Sequence, residues 1–531
     1  MEAKLDSNSF QNLNKHQKGC QSQYETPVSC NMHVTVKLDS WIYISGISLA
    51  FSMPGLLFSY YSVILFLSTF RYPKALGNEP PLQETPLVSI LIATFNEKFV
   101  VASTLDALKN LDYPRDKLQV VVADDSSDET VDIIDGKLLE LNDLGIHGVV
   151  SRRKGRAGFK SGALNQSAPL LKGDFVLLLD ADSTVKPDVL KRGLNAASHN
   201  PRIGFVSFRV GHYNREQNLT TRLFALQQDQ GDTVAKMGAY SIDAPYSFQG
   251  GFVLVSMAVL REVGFWPNDS VVEDADLSLR IYCAGYRGVY LSDVRIFSED
   301  PSSLEVWKKQ AARVAQGWAN CAIANGRKIL SCKKLSVWKR IVLFSTLVGP
   351  FQGLSWIVVT FVSAFGLIFG LTAPSSSIFS SPIYIIAVTL PVVAFFGSGI
   401  YALHIQKIMT PRNLVLLPLL SYTSSCMTTA IMIGFLNGMR GKTGFFFRTP
   451  KHGLAVDLNR QYHREVRLDR IAIAEGILSI MALTLSIIVL LYGVWALTLT
   501  LAGFGALTLK SMNLSRLAPI KSTRSSQGSL N

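Results

Sequence analysis

The sequence is poor in cysteine and in charge. Its six cysteines form no CxxC pair in 531 residues, which argues against a disulfide framework and against a zinc site. Charged residues make up only 17% of the chain, hydrophobic residues make up 48%, and the mean hydropathy is +0.24. These values are unusual for a soluble protein, and they predict a chain that is part soluble domain and part membrane protein.

An early apolar run is also missing. Residues 1–40 are polar and rich in Asn, Gln, Ser and Lys, so we expect a flexible tail here rather than a cleaved signal peptide. Negative charge is scarce as well, because the formal net charge is +13. A basic excess suits nucleic acid, an anionic lipid surface or a phosphate-bearing substrate, and the long apolar runs favour lipid.

Apolar runs lie on both sides of the central part of the chain. Residues 41–70 carry no charged residue and predict one tilted transmembrane helix, which a linker over 71–86 follows. We expect a C-terminal membrane region over 341–511 and a disordered tail over 512–531. The apolar runs of that region cover residues 341–372, 383–405, 413–437, 471–491 and 493–509.

Basic residues flank the run 413–437 on both sides, with Arg412 before it and Arg440 after it. Because basic flanks favour the cytoplasmic side, both ends of this run should lie on one side of the membrane. The run also contains Pro418, and we predict that it lies at the interface or re-enters. About five crossings then remain, four of them C-terminal. The predicted protein is an integral multi-pass protein of the plasma (inner) membrane with a cytoplasmic soluble domain.

The soluble domain is predicted over residues 87–340, where short β-rich runs alternate with helical stretches. The runs are "LVSILIATFNE", "LQVVVADDSSDE", "HGVVSRR" and "DFVLLLDADS". Strands that alternate with helices indicate an α/β, Rossmann-like domain with a mostly parallel sheet. Ligands bind outside the carboxyl ends of such strands, which is where the acids of these runs fall.

Asp180 and Asp182 follow an apolar strand directly. Two carboxylates at a strand end suit Mg²⁺ or Mn²⁺, held together with substrate phosphate oxygens. A surface turn is the alternative for an isolated Asp-x-Asp, but the apolar strand before it and the acids further along favour the metal.

Two further clusters carry candidate chemistry. Glu273 and Asp274 open a predicted helix, where they could cap its N-terminus or supply a general base with a raised pKa. We place Gln310 and Arg313, in "QAARVAQGW", at a strand end or in a following loop. An arginine that reaches to a membrane surface is the alternative for Arg313.

The motifs together resemble family 2 glycosyltransferases. "IATFNE", "VVADDSSDE", "GFKSGALN", "LLLDADS", "FQGG", "VVEDADLSLRIYCAGYRGVYL" and "QAARV" occur in that family's order. "EDPSSLEVWKKQAARV" and "FFRTPK" extend the likeness to the cellulose synthase and glucomannan synthase branch, over roughly residues 85–455. The resemblance implies a GT-A fold for the catalytic domain, with interfacial helices, and a gating-like loop over 445–453.

The resemblance also implies roles for matching positions. Asp274 corresponds to the catalytic base. The diphosphate and metal would be held by Asp180 and Asp182, and the acceptor by Gln249, Gly250 and Glu273. The residues implied to bind the nucleotide sugar are Asp124, Asp125, Lys160, Asp180, Gln310, Arg313, Thr449 and Lys451. Arg448 departs from the gating-loop pattern.

One departure concerns the acceptor. The family's motif ends in a tryptophan where this sequence has Val314, and a valine lacks the flat apolar face on which a sugar stacks. Trp318, one helical turn further, is the candidate replacement. The departure bears on processivity and acceptor identity and leaves the transfer chemistry unchanged.

These expectations define an inverting hexosyltransferase that uses a UDP- or GDP-hexose and Mg²⁺ or Mn²⁺. A processive β-glycan synthase with a polysaccharide acceptor is the first hypothesis. A lipid-acceptor enzyme of the ceramide glucosyltransferase type is the second, and a non-enzymatic scaffold or transporter is the third. Membrane lipids are expected partners. The basic stretch "SRRKGR" could bind nucleic acid, but we predict that it lies near diphosphate or lipid.

Overall fold

The computed structural model describes residues 53, 56–73, 85–198, 200–267, 270, 272–369, 382–441, 451, 470–491, 502 and 506. Eight strands form one sheet: β1 (Val88–Thr94), β2 (Leu118–Asp124), β3 (His147–Arg152), β4 (Phe175–Asp180), β5 (Thr184–Val185), β6 (Ile203–His212), β7 (Val253–Ser256) and β8 (Arg287–Ser298). Their order across the sheet is β3-β2-β1-β4-β7-β6-β8-β5.

The four strands predicted from the sequence are β1 to β4, and all of them are confirmed. They pair in parallel, and β6 pairs in parallel with β8. The sheet is mixed, because β7 runs antiparallel to both β4 and β6, and β5 runs antiparallel to β8. The mostly parallel α/β fold is therefore confirmed, with an antiparallel insertion that the sequence pattern did not predict.

Successive residues of the central strands face two different cores. Leu91 packs into one hydrophobic cluster, whereas its neighbours Ile90 and Ile92 pack into the other. All three side chains are fully buried. A strand with helices on both faces has no polar side, which explains why these runs are continuously apolar and why charged residues begin only where the strands end.

In the described part of the chain, the helix α1 (Leu56–Thr69) precedes the sheet. The helices that accompany the sheet include α2 (Val101–Leu108), α3 (Thr130–Asp143), α4 (Phe159–Ser167), α5 (Val189–Ser198), α6 (Leu219–Gln228), α7 (Ala235–Ser241) and α8 (Met257–Val263). A π-helix, Asp229–Val234, joins α6 to α7. Helix α9 (Glu273–Cys283) begins at Glu273, as the sequence predicted.

The prediction for Gln310 and Arg313 was wrong. Both lie inside α10 (Leu304–Leu330), a continuous helix of 27 residues, and not at a strand end or in a loop. Ser303 caps the helix by accepting a hydrogen bond from the amide of Val306. The stretch "QAARVAQG" contains good helix formers and no proline, so the helix continues through it.

The remaining helices are mainly apolar: α11 (Val337–Val348), α12 (Phe351–Ile368), α13 (Pro382–Ile405), the short α14 (Pro411–Leu414), α15 (Leu416–Met439) and α16 (Arg470–Leu491). Among the described residues, Ile471–Leu491 is long and apolar enough to cross a membrane. The pairs Val337–Val348 with Phe351–Gly366 and Pro411–Ser421 with Cys426–Met439 bend by 65° and 45°, and up to three spans result if each pair is one span.

Several membrane predictions fall on residues outside the described ones. These include most of 41–55, the segment 370–381 and nearly all of 492–511, so the predicted five crossings stay a prediction. The bend in the run 413–437 is compatible with a broken span or with re-entry. The expected interfacial or re-entrant position of this run therefore also stays a prediction.

Helix α15 packs directly against α10 through two glycines. A Cβ atom on Gly434 would lie 2.1 Å from the carbonyl oxygen of Ala312, and one on Gly438 would lie 2.4 Å from that of Gln316. No larger residue fits at these distances, so the two backbones touch there. Ala312 and Gln316 flank Arg313, and the contact therefore fixes the part of α10 that carries it.

Candidate active site

A cavity of about 1210 Å³ opens at the carboxyl ends of β1 and β4. Nearly all of the residues predicted from the sequence line it: Asp125, Lys160, Asp180, Asp182, Gln249, Gly250, Glu273, Asp274, Gln310, Arg313, Trp318 and Lys451. Asp124 lies outside the lining, and Thr449 lies outside the described residues. Residues from seven separate stretches of sequence thus meet in one space.

Asp124 is buried at the end of β2. It accepts hydrogen bonds from Thr94 Oγ1, the amide of Ser126 and Arg152 Nε, each at 2.9 Å. Burial alone would raise the pKa of Asp124, but the hydrogen bonds from Ser126 and Arg152 outweigh burial, and the pKa is lowered. Asp124 is therefore a charged anchor behind the cavity wall.

Asp125 faces the cavity and pairs with Arg153. Arg153 Nε and a terminal nitrogen each donate to one oxygen of Asp125, both at 2.7 Å, which is the bidentate geometry that guanidinium and carboxylate favour. Arg156 lies beside them, with its guanidinium carbon 3.3 Å from the centre of the Phe95 ring. This corner presents a carboxylate, a cation and an aromatic face to the cavity.

Sequence reasoning did not assign Arg152 and Arg153 to the site. The signal was present, because "SRRKGR" begins at the end of β3, and β3 pairs with β2 so that Arg152 lies opposite Asp124. In the sequence, "SRRKGR" and "VVADDSSDE" are separate motifs, and only the parallel register of β2 and β3 shows that they are adjacent. The prediction that this basic stretch lies near the diphosphate region is compatible with Arg156 in the cavity wall.

Lys160 joins two of the predicted acids. Its Nζ lies 2.7 Å from Asp180 Oδ1 and 3.0 Å from Glu273 Oε1. Burial acts to lower the pKa of Lys160, but the two carboxylates outweigh it and raise that pKa. The pKa of Asp180 is lowered, because Lys160, Lys451 and Arg313 together overcome the opposite effect of burial. Both groups are therefore charged at neutral pH.

The turn "FQGG" presses against Asp180. A Cβ atom on Gly251 would lie 2.5 Å from Asp180 Oδ2 and 2.8 Å from the Asp180 amide, so a side chain there would collide with the carboxylate. The position of a Cβ on Gly250 is 3.1 Å from both Glu273 Oε1 and Lys160 Nζ. These two glycines let the acids and the lysine converge.

Asp182 has its own ammonium partner. Lys451 Nζ lies 2.8 Å from Asp182 Oδ2 and donates to the carbonyl oxygen of Glu299 at 2.5 Å, while the Glu299 amide donates to Asp182 Oδ2 at 2.9 Å. Burial acts to lower the pKa of Lys451, but Asp182 outweighs it, and that pKa is raised.

Asp274 is a carboxylic acid of the cavity whose pKa is raised. It is the second residue of α9, and its Oδ1 accepts the amide of Ala275 at 2.8 Å. Removal from bulk water, followed by the charge of Glu273, raises the pKa of Asp274 to about 6. Its carboxylate is thus suited to exchange a proton near neutral pH.

Helix α10 brings Gln310, Arg313, Val314 and Trp318 to the opposite wall. The Oε1 atom of Gln310 is buried and accepts no hydrogen bond from any described residue. Val314 and Trp318 line the cavity one helical turn apart. Trp318 is therefore near enough to the valine to offer a ring beside it.

The carboxylates of Asp180 and Asp182 fit a divalent cation in their chemistry. Both residues line the cavity. Among the residues that the structure describes, no group of three or more His, Cys, Asp or Glu side chains could hold a metal ion. A Mg²⁺ or Mn²⁺ ion would therefore take its remaining oxygen ligands from water and a bound phosphate, as Mg²⁺ commonly does.

Comparisons with known proteins agree with this fold. Residues 175–400 match the family model described as glycosyl transferase family group 2. The mannosyltransferase PcManGT from Pyrobaculum calidifontis, solved with GDP-Man and Mn²⁺, has a similar fold, with a TM-score of 0.50 and 18% identity. The match covers 75% of this chain and 99% of that chain. The fold is that of an α/β glycosyltransferase domain.

Plant proteins named as glucomannan mannosyltransferases are also similar to this chain. "Glucomannan 4-beta-mannosyltransferase 2" of Arabidopsis thaliana is 31% identical over 265 residues, which cover 49% of this chain and 50% of the relative. "Probable glucomannan 4-beta-mannosyltransferase 7" of Oryza sativa subsp. japonica is 27% identical over 380 residues, which cover 70% and 63%. The match spans about half the length of the first of these relatives. The family model and the plant relatives together support a family 2 glycosyltransferase domain.

Proposed function

We propose that the protein is a membrane-bound, inverting glycosyltransferase that moves a hexose from a UDP- or GDP-hexose to a polysaccharide acceptor. The observation that carries the proposal is the single cavity that holds Asp180, Asp182 and Asp274 together with three cations, Lys160, Arg313 and Lys451. The cavity thus contains a carboxylate with a raised pKa, which can act as a general base, and cations that can bind a diphosphate. Sugar transfer from a nucleoside diphosphate requires both functions.

In the proposed reaction Asp274 acts as the general base. It accepts the proton of an acceptor hydroxyl, and the hydroxyl oxygen forms a bond to the anomeric carbon of the donor sugar. The bond from that carbon to the diphosphate oxygen breaks, and the nucleoside diphosphate leaves with the bonding electrons. A single displacement of this kind inverts the anomeric configuration.

The departing diphosphate needs positive charge. Lys160, Arg313 and Lys451 supply it from fixed positions in the cavity wall, where fixed charges act strongly because little water competes. Asp180 and Asp182 would hold a Mg²⁺ or Mn²⁺ ion, which would neutralise phosphate charge as a Lewis acid when bound. On the nucleotide side, Asp125 and the Arg156–Phe95 pair offer a hydrogen-bond acceptor and a stacking surface.

The proposed acceptor path runs from the cavity toward the apolar helices. Its walls carry many neutral amides, which can both donate to and accept from sugar hydroxyls. They also carry aromatic rings of the kind on which sugars pack. The amides are Gln227, Gln228, Gln230, Gln249, Gln310 and Gln352, and the rings include Tyr61, Phe224, Trp307 and Trp318.

The same cavity reaches α1, α13 and α15 at Phe66, Phe395 and Leu420. We therefore propose that the membrane helices border the acceptor path and that the catalytic domain lies on the cytoplasmic side of a plasma (inner) membrane. The relatives named as mannosyltransferases favour mannose over glucose as the hexose. The donor panel described next tests the choice of hexose.

The experiment uses the full chain purified in detergent, a panel of radiolabelled UDP- and GDP-hexoses, and Mn²⁺ or Mg²⁺. We expect transfer from one donor of the panel and a ladder or polymer as product. The proposal fails if no donor is consumed with either metal, and in that case a non-enzymatic scaffold or transporter becomes the better account.

A lipid acceptor is the second candidate, and Val314 favours it. A valine at this position gives the cavity an aliphatic surface where the resemblance expects a ring. The same product sizing separates the two candidates. A single labelled band that partitions into organic solvent supports the lipid acceptor, whereas a polymer excludes it.

A further inference from the structure

Lys308 and Glu475 form a buried ion pair between α10 and α16. The Lys308 Nζ and Glu475 Oε1 atoms are 2.6 Å apart, and the two side chains are 5% and 2% exposed. Burial of this degree is rare for either residue type unless it is paired. A charge inside an apolar helix is costly, and such residues commonly serve a function.

The two partners lie on elements with different tasks. Glu475 belongs to the helix Arg470–Leu491, whose residues 471–491 are long and apolar enough to cross a membrane. Lys308 lies two residues before Gln310 and five before Arg313 on α10. The pair thus connects a candidate membrane span to the helix that carries two cavity residues.

Glu475 is followed back along the sequence by a second residue in a lysine–carboxylate pair, Lys451. Lys451 binds Asp182 in the cavity, and Glu475 binds Lys308. The sequence from one of these fixed points to the other is 24 residues. Both ends of the stretch are therefore tied to groups that line or adjoin the candidate active site.

We propose that the Lys308–Glu475 ion pair positions α10 so that Gln310 and Arg313 hold the donor diphosphate. Lys308 and Glu475 are positioning residues, since neither lines the cavity. The proposal rests on the proposed function. The glycine contacts with α15 set how closely α10 approaches its neighbour, and the ion pair sets its position along and around its axis. A buried pair is weak evidence for stability but a strong geometric restraint.

The test measures binding of GDP and of UDP, each with Mn²⁺, to the purified full chain by titration calorimetry. The variants are Lys308→Met/Glu475→Met, which leaves no unpaired buried charge, and Lys308→Glu/Glu475→Lys, which reverses the pair. We expect the Met double variant to weaken binding of the nucleotide by about tenfold, because the binding groups are displaced. The reversed pair should restore binding to within about threefold of the wild type.

Lys309 supplies the matched control. It is the adjacent residue on α10 and pairs with Glu305 within the helix at 2.5 Å, so Lys309→Met/Glu305→Gln removes an ion pair without touching α16. This control should bind as the wild type does. Melting temperatures are recorded in parallel, because a purely structural pair would change them and leave the affinity of folded protein unchanged.

The outcomes are distinct. Weaker binding in the Met double variant with recovery in the reversed pair supports the proposal. Unchanged binding in the Met double variant, or no recovery in the reversed pair, overturns it. If the Met double variant does not fold, the reversed pair decides alone: binding within about threefold of the wild type supports the proposal, and weaker binding overturns it. Absence of nucleotide binding by the wild type contradicts the proposed function instead.

Discussion

The two sides of the cavity are assembled differently. On the nucleotide side, Asp124 and Asp125 pair with arginines of β3 and its following loop, and neighbouring strands bring them together. On the transfer side, acids from β4, its following turn and α9 pair with lysines from two stretches almost 300 residues apart in the sequence. Neighbouring strands and the loops at their ends build the first side, whereas helices α9 and α10 and Lys451 complete the second.

The chemistry of the pairs differs as well. Arginine forms a fixed fork on a carboxylate, while a lysine ammonium is a point charge on a flexible stem. The arginine–carboxylate pairs of the nucleotide side therefore have a fixed geometry. On the transfer side, the lysines can move from their carboxylate partners to another anion. Changes on the first side should alter the KM for the donor, and changes on the second should alter kcat.

The largest expected effect is that of Asp274→Asn. Loss of the general base should lower kcat by about 10³-fold, within the range typical for such groups. The KM for the donor should change little, because Asp274 faces the acceptor in the proposed reaction. Asp293→Asn is the control, since Asp293 pairs with Arg192 outside the cavity. Steady-state kinetics with the best donor of the panel measures both, and wild-type kcat in Asp274→Asn would contradict the assignment.

On the nucleotide side, Arg153→Lys should raise the KM for the donor by about tenfold, because lysine cannot reproduce the two-point contact with Asp125. The kcat at saturating donor should stay near the wild-type value. A large loss of kcat would show that the two sides are not separable in the way proposed here.

The pH dependence of kcat should report Asp274. Its pKa is raised to about 6, and only the deprotonated carboxylate can accept a proton. The kcat is therefore constant above that pKa and falls as the pH drops through it, by about tenfold per pH unit below 6. The residual rate of Asp274→Asn should lack this dependence, and a wild-type profile that stays flat down to pH 5 would contradict the base assignment.

The smallest expected effect concerns the support of the transfer side. Gly434→Ala would place a Cβ 2.1 Å from the carbonyl oxygen of Ala312, and such overpacking costs about 1–3 kcal/mol. The melting temperature should fall, and kcat should fall more than the affinity for the donor. Gly136→Ala in α3 is the control, because a Cβ there meets nothing within 4 Å. Equal melting temperatures for the two variants would contradict the close contact between α15 and α10 at Gly434.

Much of this arrangement follows from the sequence. The strand ends at Asp124 and Asp180 were predictable because a strand buried on both faces is apolar until it stops. The start of α9 at Glu273 was predictable from its acids. The pairing of Arg152 with Asp124 was not, because it depends on the register between two strands that the sequence presents separately.

Other features needed the three-dimensional structure. The antiparallel direction of β7 leaves no signature in a run of four residues. The helical conformation of "QAARV" was missed because the resemblance to the family implied roles for its residues and not their secondary structure. Lys308 and Glu475 lie 167 positions apart in the sequence, and no local pattern links them.

The lysines beside Asp180, Glu273 and Asp182 have a consequence for folding itself. Four carboxylates, those three and Asp274, share one cavity, and without counterions their mutual repulsion would oppose the compact state. Lys160 and Lys451 provide internal counterions, so the chain can close around its acids before any substrate arrives. Maturation of the protein should then be independent of nucleotide-sugar supply.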